Sequence, residues 1–236
     1  MIFEGIVRAG IYNPYFLPAP SAVLKAIVLL AKDGQVRRAF LDVALWSGEA
    51  VVASAVVGTL VGCLLGVWPL GYRAYLPVLS TAVSIPKIVF FPIIVLLFGI
   101  GANAKVAYGA LSAVFYVTLN VAGSARNVDP AFLRAVRAFG GTRVDALRRV
   151  VLPSALPGIT VGIWVAIKHA VNGVLIAELY VSINGIGADI NRFTQQLQAD
   201  RVYALALTLT VMAVTAAWLW GRVDRKFDAW RRLGDA

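Results

Sequence analysis

An all-α integral membrane protein with five crossings is the fold class this sequence predicts, and three observations carry it. Hydrophobic residues fill 60% of the 236 positions and charged residues only 14%, more apolar surface than one soluble core can bury. The apolar residues fall in runs of membrane length, since a hydrocarbon layer of about 30 Å takes about 20 helical residues at 1.5 Å each. Lys and Arg collect in one connecting segment and in the C-terminal tail, as positive charge does on the cytoplasmic side of a membrane.

Residues 1–42 contain no spanning run and are expected to form an extracytoplasmic or interfacial segment. Ser21 is placed to cap a short helix with Val23, Leu24, Ile27 and Val28 on one side, ending at Asp33-Gly34. The spans are expected at Ala44–Trp68, Leu76–Phe98, Val106–Gly123, Leu156–Val181 and Val202–Trp220 within a transmembrane domain 43–221. In the first, Ala50, Ser54, Gly58, Gly62 and Gly66 recur every four residues. Such a smooth face admits a closely packed helix, or leaves room for a solute. The second carries Pro77, Pro86 and Pro92, so it is expected to be broken, with freed carbonyls that need protein or water, and to border the pathway. Trp46, Trp68, Trp218 and Trp220 stand at span ends in the manner of an aromatic belt.

Twelve positive charges lie in the segment after the third span, in the tail 222–236 and at Arg73, against eight on the opposite side, Lys105 among them. The loop 124–155 and the basic tail are therefore expected in the cytoplasm, in a cell (plasma, inner) membrane. That orientation puts the N-terminal segment outside with no helix to carry it there, so a sixth helix upstream of Met1 is expected.

The chemistry of most enzymes is excluded. One cysteine, Cys63, and one histidine, His169, provide neither an intrachain disulfide nor a Cys-rich metal site, and no Ser/His/Asp or paired-carboxylate set converges. No phosphate-cradling loop is present: Gly99–Lys105 has Ala104 where the second glycine belongs and Val106 where Ser or Thr holds magnesium, and is expected as a tight turn. A net charge of +10 on so apolar a chain points to phospholipid headgroups, with no nucleic acid.

Four polar residues inside the spans are candidates for the pathway: Lys87, Lys168, Asn172 and Glu178. An unpaired cation at mid-membrane costs about 2.5–3.5 kcal/mol, so Lys87 either attracts an anionic solute or is a snorkelled or ion-paired structural lysine. Lys168 and Asn172 share a face at i, i+4. Glu178 follows Lys168 by ten residues, about 80° around the helix, so the two cannot pair. Glu178 has three readings: a gate, a salt bridge to another span, or a wet helix end. His169 is expected as a packing residue.

The loop between the third and fourth spans has the grammar helix, turn, helix. Asp129 is an N-cap with Pro130 at the first helical position, Gly140-Gly141 permit a helix end, Thr142 caps a second helix, and Pro153 is expected to stop it. Phe132, Val136 and Phe139 form a short apolar stripe on a basic element. This loop resembles the cytoplasmic motif of binding-protein-dependent ABC importer permeases: Glu-Ala-Ala, three residues, Gly, nine residues, Ile-x-Leu-Pro. Arg134-Ala135-Val136, Gly140, Val150, Leu152 and Pro153 keep every spacing, with Arg134 replacing Glu and Val136 replacing the second Ala. The segment from Asn13 to Val23, Ala177-Glu178 and Gly185-Ile-Gly187 are similar to the nitrate, sulfonate and taurine branch.

The resemblance implies a type I ABC importer permease architecture without catalytic activity of its own. The implied partners are a second permease copy in a homodimer, two cytoplasmic ATPase subunits that bind ATP and Mg, and an extracytoplasmic substrate-binding protein. It also implies that Arg134, Ala135, Val136, Phe139, Gly140, Gly141, Thr142, Leu152 and Pro153 contact the ATPase. The solute implied is a small anion such as sulfonate, taurine or nitrate. The alternative is an ion-gradient-driven secondary carrier or channel with Lys87, Lys168 and Glu178 as its relay, which would call for an internal repeat that the two halves do not show.

Overall fold

The computed structural model describes residues 16–232 together with Glu4, Val7 and Asn13, with side chains as far as Arg222. The upstream segment around Pro14-Tyr15 and the tail side chains beyond Arg222 lie outside the described residues. Every regular element among the described residues is helical.

The chain enters through α1 (Pro20–Lys32) and α2 (Gly34–Val67). Ser21 does not cap α1. Pro20 starts the helix on fixed φ after Ala19, and the Ser21 hydroxyl donates to Glu4 at 2.6 Å. Val23, Ala26, Ile27 and Leu30 make its packing face, set against Ala204, whereas Leu24 and Val28 stay exposed. The first crossing helix starts at Gly34, ten residues ahead of the expected Ala44, because Asp33 caps it by accepting from the backbone N–H of Gln35 and Val36.

The second crossing is not one helix. It divides into α3 (Pro69–Ser84), a 3-10 turn (Lys87–Phe90) and α4 (Phe91–Phe98), bent by 92°. Pro86 is the cause: it has no N–H to continue the ladder and forces Ile85 into extended backbone at ψ 132°. Pro77 is accommodated inside α3, and Pro92 sits in the first turn of α4, where no donor is missed. Gly99 at φ 76° and Gly101 at φ 152° then turn the chain into α5 (Ala102–Arg126).

After the loop come α8 (Leu152–Val181), α9 (Ile186–Gln195) and α10 (Ala199–Arg232). Here the structure corrects the role of Pro153. The second loop helix does not stop there but passes through a π turn (Leu147–Val151) into α8, giving one helical stretch from Arg143 to Val181. The Leu152 N–H reaches back five residues to the Leu147 carbonyl. This wider turn resets the ladder, so that Pro153 occupies a first-turn position that needs no donor. The last helix also outruns the expected Trp220, reaching Arg232.

Small residues bind α2, α5 and α8 into the core. A Cβ at Gly58 or Gly62 would stand 2.6 Å from Val117 or 2.7 Å from Val121 of α5, and one at Gly109 would meet Val174 of α8 and Ala50 of α2. The four-residue groove of α2 is thus filled by α5, and Ala50, Ser54, Gly58, Gly62 and Gly66 are all buried. Two belt assignments also change. Trp46 is half-buried with its ring 4.1 Å from the Lys105 ammonium, and Trp220 donates its indole N–H to the Thr160 carbonyl, tying α10 to α8.

Candidate translocation and coupling sites

The loop helix α6 (Pro130–Ala138) is built from contacts a few residues long. Asp129 accepts from the Ala131 N–H at 2.7 Å, and Pro130 follows at the first position. At the other end Gly140 takes φ 75°, which a side chain rarely tolerates, and the Gly141 N–H bonds the Val136 carbonyl at 2.8 Å. Thr142 opens α7 (Arg143–Ala146) as expected, with a partner the sequence reading missed: Asp145 closes a reciprocal capping box. The Asp145 carboxylate accepts from the Thr142 hydroxyl at 2.6 Å and from its N–H at 2.9 Å. Those bonds, with lesser help from Arg149 and Arg148, hold the carboxyl below the usual aspartate value. The Thr-x-x-Asp spacing was the available signal.

Around this scaffold Arg134, Ala135, Phe139 and Gly140 are exposed. Phe139 is 91% exposed and Phe132 61%, a large apolar surface to leave beside so many arginines. Val136 instead is half-buried and packs under Gly141. Leu152 and Pro153 lie at the start of the helix that crosses the membrane, so the loop is mechanically continuous with α8. A cavity of about 1160 Å³ separates the loop from α2 and α3, lined by Leu64, Trp68, Leu79, Leu133 and Leu147.

Three of the four candidate pathway residues share one cleft, and Lys87 stands apart from it. Lys87 stands at the break between α3 and α4, half-buried, donating to the Val83 carbonyl at 2.9 Å. Lys168 is exposed with its ammonium 3.1 Å from the centre of the Trp164 ring. Lys168, Asn172 and Glu178 border a cleft of about 360 Å³ between α8, α9 and α10. Glu178 differs from those two in burial: it is 1% exposed, its carboxylate 2.5 Å from the Lys105 ammonium. Of its three readings, the structure shows the salt bridge to another span. Lys105, expected as a free loop charge, is itself buried, because it falls in the first turn of α5 facing the last turn of α8. Gly185 and Gly187 leave just enough room for Glu178, since a Cβ at either would strike its carboxylate or carbonyl. His169 stacks on Tyr116 of α5 at 3.7 Å and 11°. Nothing in the sequence pairs Lys105 with Glu178, or Tyr116 with His169, because each contact joins two helices.

On the extracytoplasmic side of the expected topology, α9 carries Asp189, 8% exposed in its side chain and bonded to Arg192 at 2.6 Å. Burial lifts this carboxyl above the ordinary aspartate range, against the pull of Arg192.

A bundle of membrane-length helices, one of them broken, with an exposed helix-turn-helix loop continuous with a span, is the architecture of a multi-pass helical membrane protein. Residues 54–229 match the family described as binding-protein-dependent transport system inner membrane component, and the chain belongs to that family. It is the permease subunit of an ABC importer, a multi-pass protein of the plasma membrane. Such a subunit works with ATPase and substrate-binding partners and a second permease. The taurine transport system permease protein TauC of Escherichia coli is 24% identical over 95% of this chain and 84% of its own length. The aliphatic sulfonates transport permease protein SsuC of Bacillus subtilis, a putative assignment, is 26% identical over 98% and 83%. Among solved structures, the inward-facing MetNI methionine ABC transporter aligns with a TM-score of 0.68 at 20% identity, over 81% of this chain and 95% of that one. The fold is thus that of a type I importer permease, and a relay-driven secondary carrier is not the protein's class.

Proposed function

We propose that two copies of this chain form a homodimer enclosing a path for a small anionic solute such as sulfonate, taurine or nitrate. The similarity to permeases named for taurine and aliphatic sulfonates supports the solute class. The faces bearing Lys87, Lys168 and Asn172 line that path, and Glu178 acts at its extracytoplasmic end through Lys105. ATP and Mg are bound by the cytoplasmic ATPase subunits, and this chain contributes no cofactor site. The orientation rests on charge: with Lys105 neutralised by Glu178, the basic side is the one that holds the loop 124–155 and the tail.

The loop is the lever. Arg134, Ala135, Val136, Phe139, Gly140, Gly141 and Thr142 dock on an ATPase subunit, and Leu152 and Pro153 pass the movement into α8. When ATP closes the ATPase pair, the two loops are drawn together and the spans turn from inward-open to outward-open, where a binding protein delivers its solute. The single observation that carries this reading is the exposure of Phe139 beside Gly140 on a loop fused to a spanning helix. Gly140→Pro and Phe139→Asp are expected to abolish ATP-driven uptake while the protein stays in the membrane at wild-type level. Wild-type uptake by either variant in vesicles containing the ATPase and binding protein contradicts the docking role.

A further inference from the structure

We propose that Lys87, Tyr116 and His169 together form a subsite for the anionic group of the transported solute, halfway across the membrane. The three come from the broken crossing, α5 and α8. His169 stacks on Tyr116 at 3.7 Å, and the Lys87 ammonium lies 5.5 Å from the centre of the same ring. All three are half-buried, so the group lies between core and surface rather than inside the three-helix packing.

Charge makes this a site. Lys87 uses one of its three donors on the Val83 carbonyl, and among the described residues no carboxylate lies within ion-pair distance of it. A cation without a carboxylate partner thus stands against the Tyr116 ring at a depth where an uncompensated charge is expensive. An anion resolves the imbalance, accepting from the ammonium, the Tyr116 hydroxyl and an imidazole N–H. Glu178, the buried carboxylate, is already taken by Lys105.

Depth selects the source of the anion. Tyr116 is ten residues from the end of α5 at Arg126 and His169 twelve from the end of α8 at Val181, so both are about 15 Å or more from either helix end at 1.5 Å per residue. A lipid headgroup belongs at those ends, whereas a solute passes the middle.

The inference rests on the transport reading above, and its test is separable from it. His169 is the only histidine, so isotope-labelled histidine in the full chain gives one imidazole signal in nanodiscs. Methanesulfonate is expected to shift that signal saturably, and the uncharged dimethyl sulfone is not. Lys87→Met is expected to weaken the response at least about tenfold, the loss of one charge-assisted bond, and Lys87→Arg to restore most of it. No response to methanesulfonate overturns the subsite, even if ATP-driven uptake is intact and the transport reading stands. A signal moved instead by phosphatidylglycerol in the nanodisc, and no further by methanesulfonate, also overturns it by making the ligand a lipid headgroup. Loss of uptake in the loop variants bears only on coupling and leaves the His169 titration unchanged.

Discussion

The two ends of the α5–α8 pair are made in opposite ways. At the loop end, the hydrogen bonds that shape the turn join near neighbours: Asp129 to Ala131, Thr142 to Asp145, Gly141 to Val136. The groups are exposed, the helices are short, and each bond is replaceable by water. At the other end, a lysine and a glutamate from different helices are sealed together at 5% and 1% exposure, with Trp46 over the ammonium, Gly185 against the carboxylate and Gly187 against the Glu178 carbonyl. The contrast matches what each end does. A loop that docks must offer its surface, and a joint between spans must keep its register while the helices move.

The ion pair is where this contrast is most easily broken. Removing one partner of a buried pair leaves a charge with no compensation, at a cost of about 3–5 kcal/mol. Glu178→Ala is therefore expected to lower the melting temperature of the purified complex sharply and to reduce its amount in the membrane. The double variant Lys105→Met, Glu178→Leu is expected to recover most of that loss, since an apolar pair of similar volume replaces the charges without stranding one. A Glu178→Ala protein as stable as wild type would mean that the pair is solvated and the two ends are alike.

The next test concerns the helix face that separates the two ends. Gly62 meets Val121 and the Thr118 carbonyl so closely that a side chain must push α2 from α5. Gly62→Val is expected to cost about 1–3 kcal/mol through overpacking, read as a drop in thermal stability in detergent. Gly48 and Gly123 have open space around the position of a Cβ. Gly48→Ala is expected to be neutral or slightly stabilising, because a helical glycine carries an entropic cost that alanine avoids. Equal effects at Gly48 and Gly62 would show that composition, and not close approach, governs these positions.

This division also explains what could be read in advance. Apolar length placed the spans, and the caps at Asp129 and Thr142 were legible because a cap and its helix are adjacent in the chain. The four-residue spacing of small residues exposed the packing face of α2, but not its occupant. Pro86 signalled a break, and Pro153 signalled one that does not occur, since a π turn upstream supplies a register in which proline lacks nothing. Asp33 was overlooked as a cap because hydropathy placed the first span too late. Lys105 looked like a loop charge because only the fold brings α8 to its side, and Tyr116 and His169 met for the same reason. The contacts that sequence hides are those between helices, and these form the candidate subsite and the buried pair.

The smallest effect is expected at the loop, where the capping box is exposed and local. Because the Asp145 carboxyl titrates lower in the folded chain than in an unfolded one, its ionised form favours the folded loop. Its contribution is complete above the ordinary aspartate value of 3.8 and drains away as pH falls through the lower folded value. Asp189 has the opposite sign: its raised value favours the folded form at low pH and loses that contribution as pH rises through it. Hydrogen exchange over residues 142–149 is therefore expected to be faster in Asp145→Asn than in wild type near neutrality, and the difference to vanish once Asp145 is protonated in the folded chain. A difference that persists under those acid conditions would show that the Thr142 cap depends on the shape of the side chain and not on its charge.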